Sequence, residues 1–329
     1  MKFVVLGAGA LGCVYGGMLA EAGHDVTLVA RGEHYAAMKN DGLTILTSGR
    51  SLKPALRVVD NPQAVKESDA AFVTVKARDT SKILEASKHL FERTVFVSFQ
   101  NSGDKDEILS RYVGPGNVIG GVAMVAGTLV KPGVVEATYV GRTWLGELPR
   151  GISERVERLT AILEGASLRA TAADDITAVK WVKLIQYCAY AGVSALTRLR
   201  MYEIMQDRRL LELYVELLRE GGRVMKAAGT KPENQKGLPP IKRIMELPKD
   251  ALIQEYSEQS KSLKGRHETI SMLQDVLRDR PTEADETLGY VIRKASENRV
   301  DIPIMNAVYA LIRGLETSYS REKGSMSFL

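Results

Sequence analysis

Short apolar runs alternate with helix-length segments through the first half of the chain. "KFVVLG" (2–7), "DVTLVA" (25–30), "AAFVTV" (70–75), "TVFVSF" (94–99) and "NVIGGVAMV" (117–125) are β-rich and of strand length. Between them, 10–22 and 79–92 are the clearest helical stretches. This alternation predicts a parallel sheet with crossover helices. "VVEATYVGRTWLGEL", starting at Val134, reads as a strand pair around a glycine turn that extends the sheet antiparallel. A helix near 152–165 and a strand near 167–172 would close the domain.

After Asp174 the periodicity becomes helical, most clearly over 207–229 and 282–300. The stretch 230–249 holds Pro232, Pro239, Pro240 and Pro248 and reads as an excursion between helices. The expected fold is therefore an α/β Rossmann-type doubly wound parallel sheet followed by an all-α C-terminal domain, with domains 1–173 and 174–329. A chain of 329 residues suits two domains, because single cores stop growing near ~250–300 residues.

Bulk properties narrow the function. The uncharged run 184–197 is shorter than the roughly 20 apolar residues a membrane span needs, and the first residues lack the h-region and cleavage site of a signal peptide. The expectation is a cytoplasmic protein with no membrane partner. The net charge of +5 is spread along the chain, which suits an anionic cofactor or substrate and not nucleic acid. Cys13, Cys188 and the histidines at 24, 34, 89 and 267 show no metal-ligand or redox spacing, so no metal is expected.

"GAGALG", comprising Gly7, Ala8, Gly9, Ala10, Leu11 and Gly12, follows the first strand and opens the next helix. In that order the first glycine permits a tight turn, and the second admits a pyrophosphate to the backbone. The third lets helix and strand pack closely, and the helix N-terminus offers N–H groups to the phosphates. The second strand ends in Arg31, with no acid before Glu33. A guanidinium there matches a 2′-phosphate, which favours NADP(H) over NAD(H). Lys76 and Asn101 follow the third and fourth strands, beyond the same sheet edge, where doubly wound sheets bind ligands.

Lys180 and Lys183 stand at the head of the uncharged run, sharing a helix face continued by Gln186, Tyr187, Tyr190 and Ser194. A desolvated lysine can protonate a ketone oxygen as hydride reaches the carbon, but this helix alone favours reading the charge as part of a solvated first turn. Thr282 fits a helix N-cap with Glu283 in the first turn, where a carboxylate complements the dipole by ~0.3–1 kcal/mol. The pattern leaves that reading and a catalytic one both open.

Together these residues resemble the ketopantoate reductases. "GAGALG", Arg31, "VKA" (75–77), "QN" (100–101), "GRTWLGEL" (141–148), "WVKL" (181–184), "SALT" (194–197) and "SMLQD…RPTEAD" (271–285) carry the likeness across almost the whole chain. The resemblance implies reduction of a 2-oxo acid with NADPH in a cleft between a Rossmann domain and a helical domain. It matches Lys183 to the catalytic lysine, Glu283 to the active-site glutamate and Ser271 to a serine that bonds the substrate carboxylate. Asn101 and Lys76 match residues near the nicotinamide, and Arg31 matches the 2′-phosphate contact.

The chain departs from the family at instructive places. Tyr187 and Ala191 stand where asparagines usually face substrate, four and eight residues after the lysine. Leu288 precedes Gly289 where asparagine is common, and Ser102 with Gly103 replaces a single glycine after "QN". Ketopantoate is the first expectation for substrate. A more hydrophobic branched or aromatic 2-oxo acid, giving a D-2-hydroxy acid, is the alternative, because lost polar contacts alter discrimination. An NADPH-binding sensor without turnover is a third reading, opposed by the joint presence of Lys183, Glu283, Ser271 and Asn101. Helical domains of this kind can dimerise through an apolar face, so a homodimer is the candidate assembly.

Overall fold

The computed structural model describes residues 1–261 and 269–322; His267 lies outside them. Two compact units emerge, one of Met1–Gln100 with Asp104–Val179, the other of Asn101–Gly103 with the chain from Lys180 onward.

In the first unit the chain runs β1 (Lys2–Leu6), α1 (Ala10–Glu21), β2 (Asp25–Val29), α2 (Gly32–Asp41), β3 (Thr44–Thr47), β4 (Arg50–Leu52), β5 (Arg57–Val59) and β6 (Ala70–Val73). It continues with α3 (Thr80–Ala86), β7 (Val95–Ser98), α4 (Lys105–Val113), β8 (Val118–Lys131), β9 (Val134–Gly146), α5 (Glu154–Gly165) and β10 (Ala170–Ala172). The sheet order is β4-β3-β9-β8-β7-β6-β1-β2-β5, with β10 beside β9. The run β5-β2-β1-β6-β7-β8 is parallel throughout, the doubly wound order whose direction reverses beside β1. Phe3 and Val5 enter one core and Val4 and Leu6 the other, as alternation along a strand covered on both faces requires.

Two expectations change in this unit. The segment from Val134 is a single strand paired antiparallel with β8, and the turn lies at Pro132–Gly133, where Gly133 has φ +79°. Gly141 serves close strand approach instead: a Cβ there would meet the Met124 carbonyl across a bulge. The helix over 79–92 is shorter, ending at Ala86, and a separate 3-10 turn follows at Lys88–Leu90. The pattern also passed over α2 and the short strands β3, β4 and β5.

The helices that follow are α6 (Ile176–Thr197), α7 (Met201–Gln206), α8 (Arg208–Ala227), α9 (Ile241–Glu246), α10 (Lys249–Ser260), α11 (Ser271–Val276), α12 (Leu288–Glu297) and α13 (Pro303–Glu322). From Lys180, α6 belongs to the second unit. A Cβ on Gly221 of α8 would lie 2.7 Å from Ile185, so glycine lets α8 approach α6. Glu220, 2% exposed, accepts the Ile304 and Met305 N–H groups at 3.1 and 2.7 Å and so satisfies the start of α13. The proline-rich excursion contains α9. The segment expected to run as a helix from Thr282 turns irregularly over 283–287, and α12 begins only at Leu288. Among the described residues no helix is long and apolar enough to cross a membrane.

Candidate functional site

The glycine loop sits at the carboxyl end of β1, at the point where the strand order reverses. Gly7 has φ +112°, and a Cβ on it would strike Val75, so this position is closed to other residues. Gly12 is buried; its Cβ would lie 2.7 Å from Thr74 Oγ1 and 2.9 Å from Val5 and would also meet the Gly7 carbonyl. Gly9 is exposed, with nothing within 4 Å of a Cβ built there. It stands at the N-cap of α1, which receives no side-chain cap and has no acid in its first turn. Ala8 is buried, and its N–H is bound to Val29 at 2.8 Å; Ala10 and Leu11 are half-buried in the first turn of α1. An uncapped helix start beside an open backbone glycine fits a pyrophosphate.

Arg31 N-caps α2 with its side chain 80% exposed and pairs with Asp79 at 3.0 Å. Lys76 is half-buried just before the 3-10 turn Ala77–Asp79. The loop carrying it is held by Gln100, whose amide donates to the Val75 carbonyl at 2.8 Å and to Thr80 Oγ1 at 2.7 Å. Gln100 belongs to the "QN" pair, and nothing in the spacing pointed to this clamp.

In the second unit, Lys183 is half-buried on α6 and its ammonium donates to Asn101 Oδ1, 82 residues away in sequence. The same Nζ lies 5.1 Å from the Tyr187 ring centroid, a cation–π distance. Tyr187 is buried and shares a 2.8 Å hydrogen bond with Ser271, the first residue of α11. Burial first, then the charge of Glu283, pushes the Tyr187 phenol well above its ordinary pKa, so it stays a neutral hydroxyl. Lys183, Asn101, Tyr187 and Ser271 thus form one connected group.

Glu283 is 7% exposed in a loop anchored to α13. Thr282 donates from its N–H and its hydroxyl to Glu316 at 2.6 and 2.5 Å, and Arg313 also binds Glu316. Tyr309 donates to Asp285 at 2.5 Å. On the other side, Gly103 N–H reaches the Glu286 carbonyl at 3.0 Å, and a Cβ on Gly103 would enter the Tyr290 ring. A glycine is therefore needed at 103, one place later than the family habit. Residues 309, 313 and 316 recur at helical spacing, a polar stripe that could have flagged this anchor. Ala191 and Leu288 are both fully buried and offer no surface to a ligand in this conformation. Among the described residues no three His, Cys, Asp or Glu side chains cluster to hold a metal.

A glycine loop opening a helix at the switch point of a parallel sheet defines the class as a dinucleotide-binding α/β protein. Residues 3–150 match the family described as "Ketopantoate reductase PanE/ApbA", and residues 175–316 its C-terminal counterpart. A 2-dehydropantoate 2-reductase from Pyrococcus horikoshii is 31% identical over 320 residues, covering 96% of this chain and 98% of the relative. One from Archaeoglobus fulgidus is 30% identical, covering 95% and 97%. Among solved structures, a PanE/ApbA family ketopantoate reductase from Ralstonia eutropha superposes with a TM-score of 0.81 at 27% identity, covering 97% of this chain and all of that one. D-mandelate dehydrogenase, in a ternary structure with NADH and anilino(oxo)acetate, reaches 0.85 at 22% identity with the same coverage, a likeness of fold. The chain belongs to the ketopantoate reductase family, whose members are oxidoreductases acting on CH–OH groups with NADPH.

Proposed function

We propose that the protein reduces a 2-oxo acid to the 2-hydroxy acid with NADPH, and that 2-dehydropantoate, giving pantoate, is its substrate. The observation that carries this reading is the Lys183–Asn101 hydrogen bond, beside the Tyr187–Ser271 pair. Gly7 to Gly12 and Arg31 would hold the pyrophosphate and the 2′-phosphate, with Lys76 nearby. The bound nicotinamide supplies a hydride to the carbonyl carbon.

Lys183 gives a proton from Nζ to the carbonyl oxygen as negative charge develops there, and the neutral amine regains a proton from solvent. Asn101 fixes the ammonium by accepting one of its hydrogens. Ser271 donates to the substrate carboxylate, and buried Glu283 orients the lysine and the substrate. General acid catalysis of this kind is worth about 10²–10⁴-fold.

A more hydrophobic 2-oxo acid is the second reading. It is favoured by Tyr187, whose hydroxyl is occupied by Ser271 and which places an aromatic ring, not an amide, beside Lys183. The test follows NADPH absorbance with ketopantoate beside branched and aromatic 2-oxo acids. Fast turnover of ketopantoate, reduced about 10²-fold or more in Lys183→Ala, is the expected result. Preference for a bulkier acid, shifted toward ketopantoate by Tyr187→Asn, would select the second reading. NADPH binding with no turnover across the panel would leave a sensor and sink both.

A further inference from the structure

His34 lies in the first turn of α2, three residues after Arg31, and neither the glycine pattern nor the 2′-phosphate contact accounts for it. Its Nδ1 accepts the Gly133 N–H at 2.9 Å, and Gly133 is the turn between β8 and β9. An imidazole that accepts at Nδ1 carries its proton on Nε2 when neutral. That Nε2 is 3.4 Å from Cys13 Sγ, in the first turn of α1. Cys13 in turn donates to the Ala8 carbonyl at 3.5 Å.

Burial lowers the His34 pKa and pushes the Cys13 thiol up to about 12, so both groups are neutral near pH 7. Cys13, His34 and Met38, whose sulfur lies 4.0 Å from Cys13 Sγ, superficially suggest a soft-metal set. Binding would require a thiolate and a bare Nε2, and the Gly133 bond and burial oppose both.

What remains is mechanical. Through Cys13 and Gly133, one ring links the backbone meant for the pyrophosphate, the helix start that carries Arg31, and the hairpin turn. Ala8 is held through its N–H to Val29 and through its carbonyl to Cys13, which His34 contacts in turn. We infer that His34 is a positioning residue of the dinucleotide site, a neutral imidazole that sets the spacing between the Gly7–Gly12 loop and the Arg31 guanidinium. The inference rests on the NADPH reading above.

The experiment titrates NADPH and NADH by fluorescence against wild type, His34→Ala and His34→Asn, with melting temperatures and steady-state kinetics alongside. His34→Ala should bind NADPH about tenfold more weakly, the worth of one hydrogen bond. NADH, lacking the 2′-phosphate, should lose less. kcat at saturating NADPH and the KM of the 2-oxo acid should hold. His34→Asn, whose Oδ1 can accept the Gly133 N–H, should recover part of the affinity. A folded His34→Ala that binds NADPH like wild type overturns the inference and leaves the cofactor reading standing. An equal fall in kcat and in affinity for both nucleotides, unrescued by asparagine, reduces His34 to general structure and also overturns it. Wild type that fails to bind NADPH removes both.

Discussion

Gly12 has space for a hydrogen and no more, whereas Gly9 faces open space, and the two glycines of one loop should therefore fail differently. Gly12→Ala forces a methyl against Val5, Thr74 and the Gly7 carbonyl and should cost about 1–3 kcal/mol of stability, visible as a lower melting temperature. Gly9→Ala meets no protein atom and should melt within about 1 kcal/mol of wild type. Its methyl should nonetheless weaken NADPH binding by about tenfold or more in a fluorescence titration, because it would fill the place proposed for phosphate against the backbone. The tight packing at Gly12 was legible from the residues, since the glycines of the loop fall within six positions of one another. The partner of Lys183 was not. Asn101 reaches it from a distant part of the chain, and no spacing rule links residues 82 apart. The bond between Tyr187 and Ser271 was hidden for the same reason, although both side chains had been singled out.

The elements show where periodicity suffices and where it fails. The strands β1, β2, β6 and β7 read directly, because strands covered on both faces are continuous apolar runs. β8 and β9 outrun their pattern: the hairpin's far half is half-exposed and mixed in composition, so only its pairing identifies it. The loop before α12 misled for a different reason. Thr282 has the chemistry of a cap, but its hydroxyl and N–H are taken by Glu316 of α13, and its own acceptance from the Ala284 N–H closes a local turn instead of a helix. Glu316→Ala should therefore release two hydrogen bonds at the base of the Glu283 loop. The expected outcome is a fall in kcat with NADPH affinity retained, partly rescued in Glu316→Gln, whose amide oxygen can still accept. Equal loss of stability and of every kinetic constant would count against a specific role for this anchor.

For the molecule as a whole, the doubly wound order and the helical remainder followed from the alternation, but the way the chain divides between two units did not. Cofactor binding should be readable at this scale as stabilisation against heat. A ligand at a hundred times its Kd stabilises a protein by about 2.7 kcal/mol, so saturating NADPH should raise the melting temperature. NADH at the same concentration should raise it less, and Arg31→Ala should bring the two nucleotides level, because the guanidinium, released from Asp79, is the group proposed to meet a 2′-phosphate.

The three residues Asn101–Gly103 are grouped with the second unit although β7 and α4, on either side of them in sequence, belong to the first. The helical unit is thus not a continuous stretch of gene. Cutting the coding sequence after Val179 would yield a C-terminal fragment that keeps Lys183, Tyr187, Ser271 and Glu283 but leaves Asn101 on the other piece. Recombination between relatives at that point would exchange Lys183 while retaining Asn101, which accepts its hydrogen bond, so the two must stay compatible across any such junction.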